Sequence, residues 1–258
     1  MDKIITANGI LSNLKTVGIS LSVYDCVTST NTILKQLALE GKTEGEVIIA
    51  LSQTEGRGRY NRKFYSDQGG IYMSILLRPT TAPNTAVLTA AAAVAVSDAI
   101  EEISGKATQI KWVNDLLIND KKVCGILCEG GFCGDKSFFV VGIGINACAT
   151  KNGLDDEIKG IATTIFDTYS SDVLSQLCAK VIDNLFYEYN HISNRKFLQI
   201  YRQKSAVLGK EINVLSKGEI IGTAKALEID DNCRLLIEFK DGETKKLITD
   251  EISIKMLD

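Results

Sequence analysis

The sequence predicts an α+β chain in which a large mixed unit, residues 1–206, is followed by a small all-β unit, residues 207–258. Two observations carry this reading. Up to residue 206, strand-like apolar runs are interleaved with segments of helical period that begin on capping side chains. From Gly209 onward only short β-patterned runs remain, punctuated by Lys217-Gly218 and Asp241-Gly242, the texture of a small barrel or sandwich. No internal repeat, low-complexity tract or long linker separates the two.

Each element has its own signal. Ile19, Leu21 and Val23 alternate with smaller or polar residues and predict a first strand. Ser29-Thr30-Asn31 offers capping oxygens just before Ile33, Leu34 and Leu37, so a helix starts there. Residues 46–52 read as a second strand and residues 71–77 as a third, closed off by Pro79 and Pro83. Between these strands, residues 53–70 are charged, glycine-bearing and without apolar period; so long a loop in a compact domain is usually functional. Asn84 or Thr85 caps an alanine-rich helix that ends at Gly105. Strand patterns follow at 108–112, 116–118, 123–129 and 137–141, with Asn119-Asp120 as a hairpin turn. Residues 172–189 and 194–204 carry helical period, and the small unit has strands at 211–215, 220–228, 235–239 and 244–248.

Composition narrows the function classes. With 258 residues, 45% hydrophobic and 24% charged, the chain has an ordinary globular balance. A net charge of −3 argues against a general nucleic-acid or membrane-surface binder, though it leaves room for a local basic patch. No secretory leader is expected at residues 1–8, and the most apolar stretch, 87–100, is shorter than the ~20 residues of a bilayer crossing. Seven cysteines without a leader point to a reducing, cytoplasmic setting. Cys124 and Cys128 would lie ~13 Å apart along a strand at ~3.3 Å per residue, too far for one zinc ion or one disulfide. His191 is the only histidine, which excludes Ser-His-Asp triads and imidazole zinc sites.

Two motifs are decoys. Gly41-Lys42-Thr43 resembles the end of a phosphate-binding loop, but Gln36 stands where that motif needs its first glycine. Residues 142–147 resemble a dinucleotide fingerprint, but no helical period follows through 148–153. The informative loop holds Arg57, Arg59, Arg62 and Lys63 within seven residues, with Gly56 just before them and Gly58 between the first two. Guanidinium forks suit phosphate and carboxylate oxygens, and the glycines let the backbone approach a ligand. A solvated basic loop is the plain alternative. A second segment runs Lys111-Trp112-Val113-Asn114-Asp115, then Lys122 and, inside a strand pattern, Gly125. Glycine there marks close approach of a ligand or of another backbone. An ordinary hairpin with a salt-bridged turn is its plain alternative.

Ser29-Thr30-Asn31, Gly56-Arg57-Gly58-Arg59, Gly69-Gly70, Lys111 to Asp115, Lys122 to Leu127 and Gly142 to Asn146 occur in one order. In that order they resemble the biotin–protein ligase family, in its form without an N-terminal DNA-binding domain, since only about twenty residues precede the first strand. The resemblance implies a biotin/lipoate-ligase-like central mixed sheet flanked by helices, with a small C-terminal SH3-like β-barrel. It implies ATP-dependent activation of biotin to biotinyl-5′-AMP, and transfer to a lysine of a biotin carboxyl carrier protein or domain. ATP and Mg²⁺ are the implied cofactors, no DNA or membrane partner is implied, and a homodimer is left open.

Residue by residue, the resemblance assigns Ser29, Thr30 and Gln53 to biotin's ureido ring, Asn31 to the biotin site, and Gly125 and Leu127 to its valeryl channel. Gly56, Arg57 and Arg59 would hold the biotin carboxylate and the nucleotide phosphate. Phe64, Lys111, Asn114, Asp115 and Asn146 would serve ATP, with Asp115 the candidate for Mg²⁺. Lys122 would sit where carboxylate meets α-phosphate, making Lys122, Arg57 and Arg59 the catalytic group.

The chain departs from the family pattern at three positions. Val113 stands where proline is usual, Asn61 where glycine is, and Phe64 where tryptophan is, which predicts weaker stacking on the nucleotide. A lipoate–protein ligase shares the implied fold, but its glycine-rich segment with a following His-Asp is missing here. A catalytically silent biotin-binding relative is the other alternative, and the presence of Lys122 and Arg57 speaks against it.

Overall fold

The computed structural model describes residues 5–81, 83–149, 153–168, 170–216, 218–248 and 252–256. Lys217 of the expected Lys217-Gly218 turn and residues 150–152 of the segment after the false fingerprint lie outside them. A short helix, α1 (Ala7–Leu11), precedes β1 (Ser20–Tyr24), α2 (Thr30–Leu39), β2 (Glu46–Ala50) and β3 (Ile71–Leu77). Then come α3 (Thr85–Ser104), β4 (Gln109–Lys111), β5 (Asp115–Ile118), β6 (Lys121–Cys133), β7 (Lys136–Ile145), α4 (Ser171–Asn190) and α5 (Phe197–Gln203).

The caps form where expected. Ser29 accepts from the Thr32 amide at α2, Asn84 accepts from the Ala86 amide at α3, and Gly105 closes α3 with φ +71°. Asn119 and Asp120 both have positive φ, as a tight hairpin turn requires. One helix differs. The segment expected from residue 194 starts at Phe197, because Arg195 is left-handed (φ +58°) and separates α5 from a single 3₁₀ turn at Ile192–Asn194.

Seven strands make one mixed sheet in the order β1-β2-β3-β7-β6-β5-β4, parallel only between β1 and β2. Both faces are covered, which is why β2 and β3 are buried along their whole length. Alternate residues Met73, Ile75, Val141 and Ile143 share the main core with α3 and α4, whereas Ile48, Leu76, Phe138 and Val140 pack under Leu34 and Ala38 of α2. The α3 helix spans 20 residues, yet no helix among the described residues is long and apolar enough to cross a membrane.

The second unit holds β8 (Glu211–Ser216), β9 (Glu219–Ile229), β10 (Leu235–Phe239), β11 (Thr244–Leu247) and β12 (Ile252–Met256). The expected barrel is not closed: among the described residues these strands form an antiparallel sheet in the order β11-β10-β9-β8-β12, with β11 and β12 at its edges. Packing does what closure would have done. Ile212, Val214, Ala226, Leu235 and Ile237 bury their side chains in the core shared with the first unit. Polar bonds join the units as well, with Trp112 Nε1 donating to the Cys233 carbonyl at 2.8 Å and Arg202 Nε to the Ile229 carbonyl at 2.7 Å.

Candidate active site

Where β6 and β7 run past the N-terminus of α2, the sheet loses its side chains. On that face of β7, Phe138 and Val140 give way to Gly142 and Gly144, with Gly125 of β6 in register opposite Gly144 and Leu127 opposite Gly142. A cleft of about 730 Å³ opens over this bare patch, a volume typical of small-molecule sites. A Cβ at Gly125 would stand 2.8 Å from the Phe64 ring and 3.0 Å from Lys122 Nζ. At Gly144 it would run into the Phe64 ring, and at Gly142 into the Asn31 amide. Glycine is therefore the residue that leaves both the cleft and its neighbours intact.

One end of the cleft is a buried polar network. Ser29, Thr30 and Asn31 are only 4%, 3% and 6% exposed. The Thr30 amide and hydroxyl donate to Gln53 Oε1 at 2.8 and 3.1 Å, and Gln53 Nε2 donates to Ser66 Oγ at 3.0 Å. Ser74 Oγ donates to Asn31 Oδ1 at 2.6 Å, while Asn31 Nδ2 donates to Glu129 Oε2 at 2.9 Å and to the Leu127 carbonyl at 3.3 Å. Buried polar atoms satisfied in this way hold α2 against β3 and β6.

The other end is cationic. Arg57 Nη2 donates to Thr32 Oγ1 at 2.8 Å, and Arg59 donates to Asn114 Oδ1 at 3.3 Å and to the Tyr60 hydroxyl at 2.7 Å. The Arg59 guanidinium also lies 4.9 Å from the Tyr60 ring centroid, and Lys63 Nζ lies 4.2 Å from that of Tyr65. Lys111 lines the same end. Burial lowers its ammonium pKa, nearby Lys122, Lys255 and Arg62 lower it further, and Asp115 opposes them.

Lys122 stands between the two ends. Its ammonium pairs with Asp115 Oδ1 at 2.7 Å and lies 5.4 Å from the Phe64 ring centroid. Its backbone is held on both sides: the amide donates to Ile161 O at 2.9 Å, and the carbonyl accepts from the Thr163 amide at 2.9 Å and from Asn146 Nδ2 at 3.3 Å. Asn114 Nδ2 donates to the Ile126 carbonyl at 3.0 Å, which fixes the turn that presents Asp115.

Ser29, Thr30, Asn31, Gln53, Arg57, Arg59, Phe64, Lys111, Asn114, Asp115, Lys122, Gly125, Leu127 and Asn146 all line this one cleft. Gly56 alone of the expected residues stands behind it, buried where a Cβ would strike Ser66 and the Phe64 carbonyl. Phe64, expected against the nucleotide base, has its ring over the glycine patch, edge-on to Tyr72 at 6.4 Å. Val113 follows a cis peptide bond, and its carbonyl accepts from Tyr201 Oη at 3.0 Å. His191, the single histidine, caps the C-terminal end of α4 on the surface.

Sequence reasoning missed two walls of the cleft. One is the turn at 157–162, and the other comes from the second unit through Leu215, Ile254, Lys255 and Met256. It also passed over Gly142 and Gly144 as ligand-facing residues. Glycines two apart in a strand pattern, on the same face, are the signal that could have found them.

Comparison with known proteins agrees with this geometry. Residues 23–146 match the biotin/lipoate A/B protein ligase family, and residues 207–255 match the biotin protein ligase C-terminal domain. The chain is 37% identical over 254 residues to the bifunctional ligase/repressor BirA of Bacillus subtilis, covering 92% of this chain and 75% of that one. It is 30% identical over 232 residues to the biotin–[acetyl-CoA-carboxylase] ligase of Mycobacterium tuberculosis, covering 84% and 83%. The structure is similar to that of the Aquifex aeolicus biotin protein ligase in complex with biotin and ATP, with a TM-score of 0.76, 32% identity, and coverage of 92% and 99%. The two family models matched in order, with relatives of this similarity over most of its length, make the chain a member of the biotin/lipoate A/B protein ligase family.

Proposed function

We propose that this chain is an ATP-dependent biotin–protein ligase, which makes biotinyl-5′-AMP and passes biotin to a lysine of a biotin carboxyl carrier protein. The observation that carries the reading is the form of the cleft. An apolar, side-chain-free channel joins a buried hydrogen-bonding end to a cluster of cations, with one ammonium between them. A bicyclic urea needs the first end, a short aliphatic chain the middle and a nucleotide triphosphate the other.

In this reading Ser29, Thr30 and Gln53 bond the ureido group, and Gly125, Leu127, Gly142, Gly144 and the Phe64 ring enclose the valeryl chain. Asn31 acts one layer back, holding the helix that presents the first two. Arg57, Arg59, Lys111 and Asn114 face the nucleotide, and Asn146 acts through the Lys122 backbone. The biotin carboxylate attacks the α-phosphorus and pyrophosphate leaves. Two anions meet in that step, and Lys122 with the arginines offsets the repulsion as charge builds. The carrier's lysine then attacks the acyl carbon of the mixed anhydride and AMP leaves, so no covalent enzyme intermediate is needed. Asp115, which lines the cleft paired with Lys122, is the carboxylate that would hold the Mg²⁺ accompanying ATP, an ion that usually takes one or two carboxylates and phosphate oxygens. In this reading the chain works in the cytoplasm and on a protein, not on DNA; its net charge of −3 favours a protein partner over DNA.

Pyrophosphate exchange into ATP tests the assignment. Exchange is expected with biotin and magnesium, and not with lipoate or octanoate. Exchange driven as well by lipoate as by biotin would reassign the chain to the lipoate branch of the family, and none with any acid would mark it as a silent binder.

A further inference from the structure

The basic loop and the turn at 155–162 approach the cleft from different parts of the chain, and a side-chain bond joins them. Tyr65, at the end of the basic loop, donates its hydroxyl to Glu157 Oε2. The bond to that carboxylate, above all, raises the tyrosine pKa to about 12, so the hydroxyl stays a donor at any ordinary pH. Tyr65, Glu157, Ile158, Gly160, Ile161 and Ala162 all line the cleft.

From Glu157 the connection runs through backbone. The amides of Ile158 and Lys159 donate to Asp155 O, and those of Ile161 and Ala162 donate to Ile158 O, which makes 155–162 one closed turn. Its far end grips Lys122: Ile161 O accepts from the Lys122 amide, the Thr163 amide donates to the Lys122 carbonyl, and Ala162 bridges Lys122 as a parallel partner. The amide and the carbonyl of Lys122 are thus both held by the segment that Tyr65 holds. Glu157 is exposed and Tyr65 half-buried, and neither belongs to the hydrophobic core.

We propose that Tyr65 and Glu157 are positioning residues for Lys122, their bond joining the basic loop to the turn that carries the lysine backbone. Seating the arginines on the substrates and placing the ammonium at the reacting phosphate then become one event. This rests on the reading of Lys122 as the residue that meets the α-phosphate.

Tyr65→Phe removes only the hydroxyl and keeps the ring beneath Lys63. It is expected to lower kcat for biotin-dependent pyrophosphate exchange about three- to tenfold, the usual worth of one hydrogen bond. The Kd for biotin and the melting temperature should not change. Glu157→Ala should match it, Glu157→Gln, which still accepts a bond, should restore the parental rate, and Tyr65→Phe/Glu157→Ala should be no worse than either alone. The amides of Lys122 and Thr163 in Tyr65→Phe should exchange with deuterium about tenfold faster, reporting local opening without any turnover. Parental kcat in Tyr65→Phe, single effects that multiply in the double variant, or unchanged exchange at Lys122 would each overturn the proposal. A parent that shows no biotin-dependent exchange would overturn the ligase reading instead, and the amide exchange would still test the coupling.

Discussion

The two ends of the cleft are built by opposite means. At the α2 end, Ser29, Thr30 and Asn31 are almost wholly buried, and side-chain bonds fix Thr30, Asn31 and Gln53 to three different elements. At the cationic end, Arg57 and Lys63 stand exposed, and Tyr60 holds a left-handed backbone (φ +57°) between Arg59 and Arg62. Buried, satisfied polar groups make a rigid template, and removing one partner leaves another orphaned. Exposed cations are worth little until a ligand excludes water from them. In the proposed function the first end recognises biotin and the second acts once filled.

The sharpest test of this contrast is Lys122→Ala. It should lower adenylation on the order of 10²- to 10³-fold, as losing a charge-stabilising group typically does, and change the Kd for biotin far less. Single-turnover formation of biotinyl-5′-AMP alongside calorimetric biotin binding would separate the two. Adenylation within about threefold of the parent would reduce Lys122 to a hairpin residue. Such a loss would be comparable with one ordinary hydrogen bond.

At the recognition end, Gly142→Ala should act on binding and stability together. The added methyl would displace the Asn31 amide from its bonds to Ser74, Glu129 and Leu127. Overpacking of this kind costs about 1–3 kcal/mol, seen as a lowered midpoint in urea and weaker biotin binding. A variant of parental stability would mean that the α2 end is less rigid than its bonds imply.

Arg59→Gly should leave biotin binding intact and loosen the grip on the adenylate, because it removes a charge-assisted fork from the exposed loop. Biotin appearing on lysines of a bystander protein, with ATP present, is the expected readout. Carrier-only labelling in this variant would show that Arg59 does not retain the adenylate.

The smallest effect concerns Lys111. Its ammonium pKa is lowered in the folded chain, mainly by burial, so above the folded pKa and below the unfolded one the unfolded state binds more protons. Stability therefore rises with pH through that window. Lys111→Gln should melt up to ~2 °C higher at pH 7 while its KM for ATP rises, a stability gain made at the expense of binding. A lower melting temperature would mean that the ammonium is a net stabiliser.

Most of the fold was legible because local signals and tertiary structure agree. Ser29, Asn84 and Gly105 cap the helices they were expected to cap, and Asn119-Asp120 turns its hairpin. The five-residue α1 went unread because it is too short to show a helical period, and β12 went unread although Ile252, Ile254 and Met256 alternate with Ser253 and Lys255. In the site, the arginines and Lys122 were legible by charge and glycine spacing. The turn at 155–162 was not, because it contributes through backbone carbonyls, which every sequence has. Phe64 shows a third limit: an aromatic residue in a basic loop signals stacking, but not on which side of the cleft.

The glycine floor sets what this cleft can become. Gly125, Gly142 and Gly144 already carry the smallest side chain available, so any substitution there can only fill space. Selection or design at these positions can therefore make the pocket shallower and exclude an acid it now takes. It cannot make the pocket deeper. Admitting a bulkier acid would have to come from the opposite wall, by trimming Phe64, and the strands beneath would be unaffected. The direction in which substrate range can drift is written into that wall.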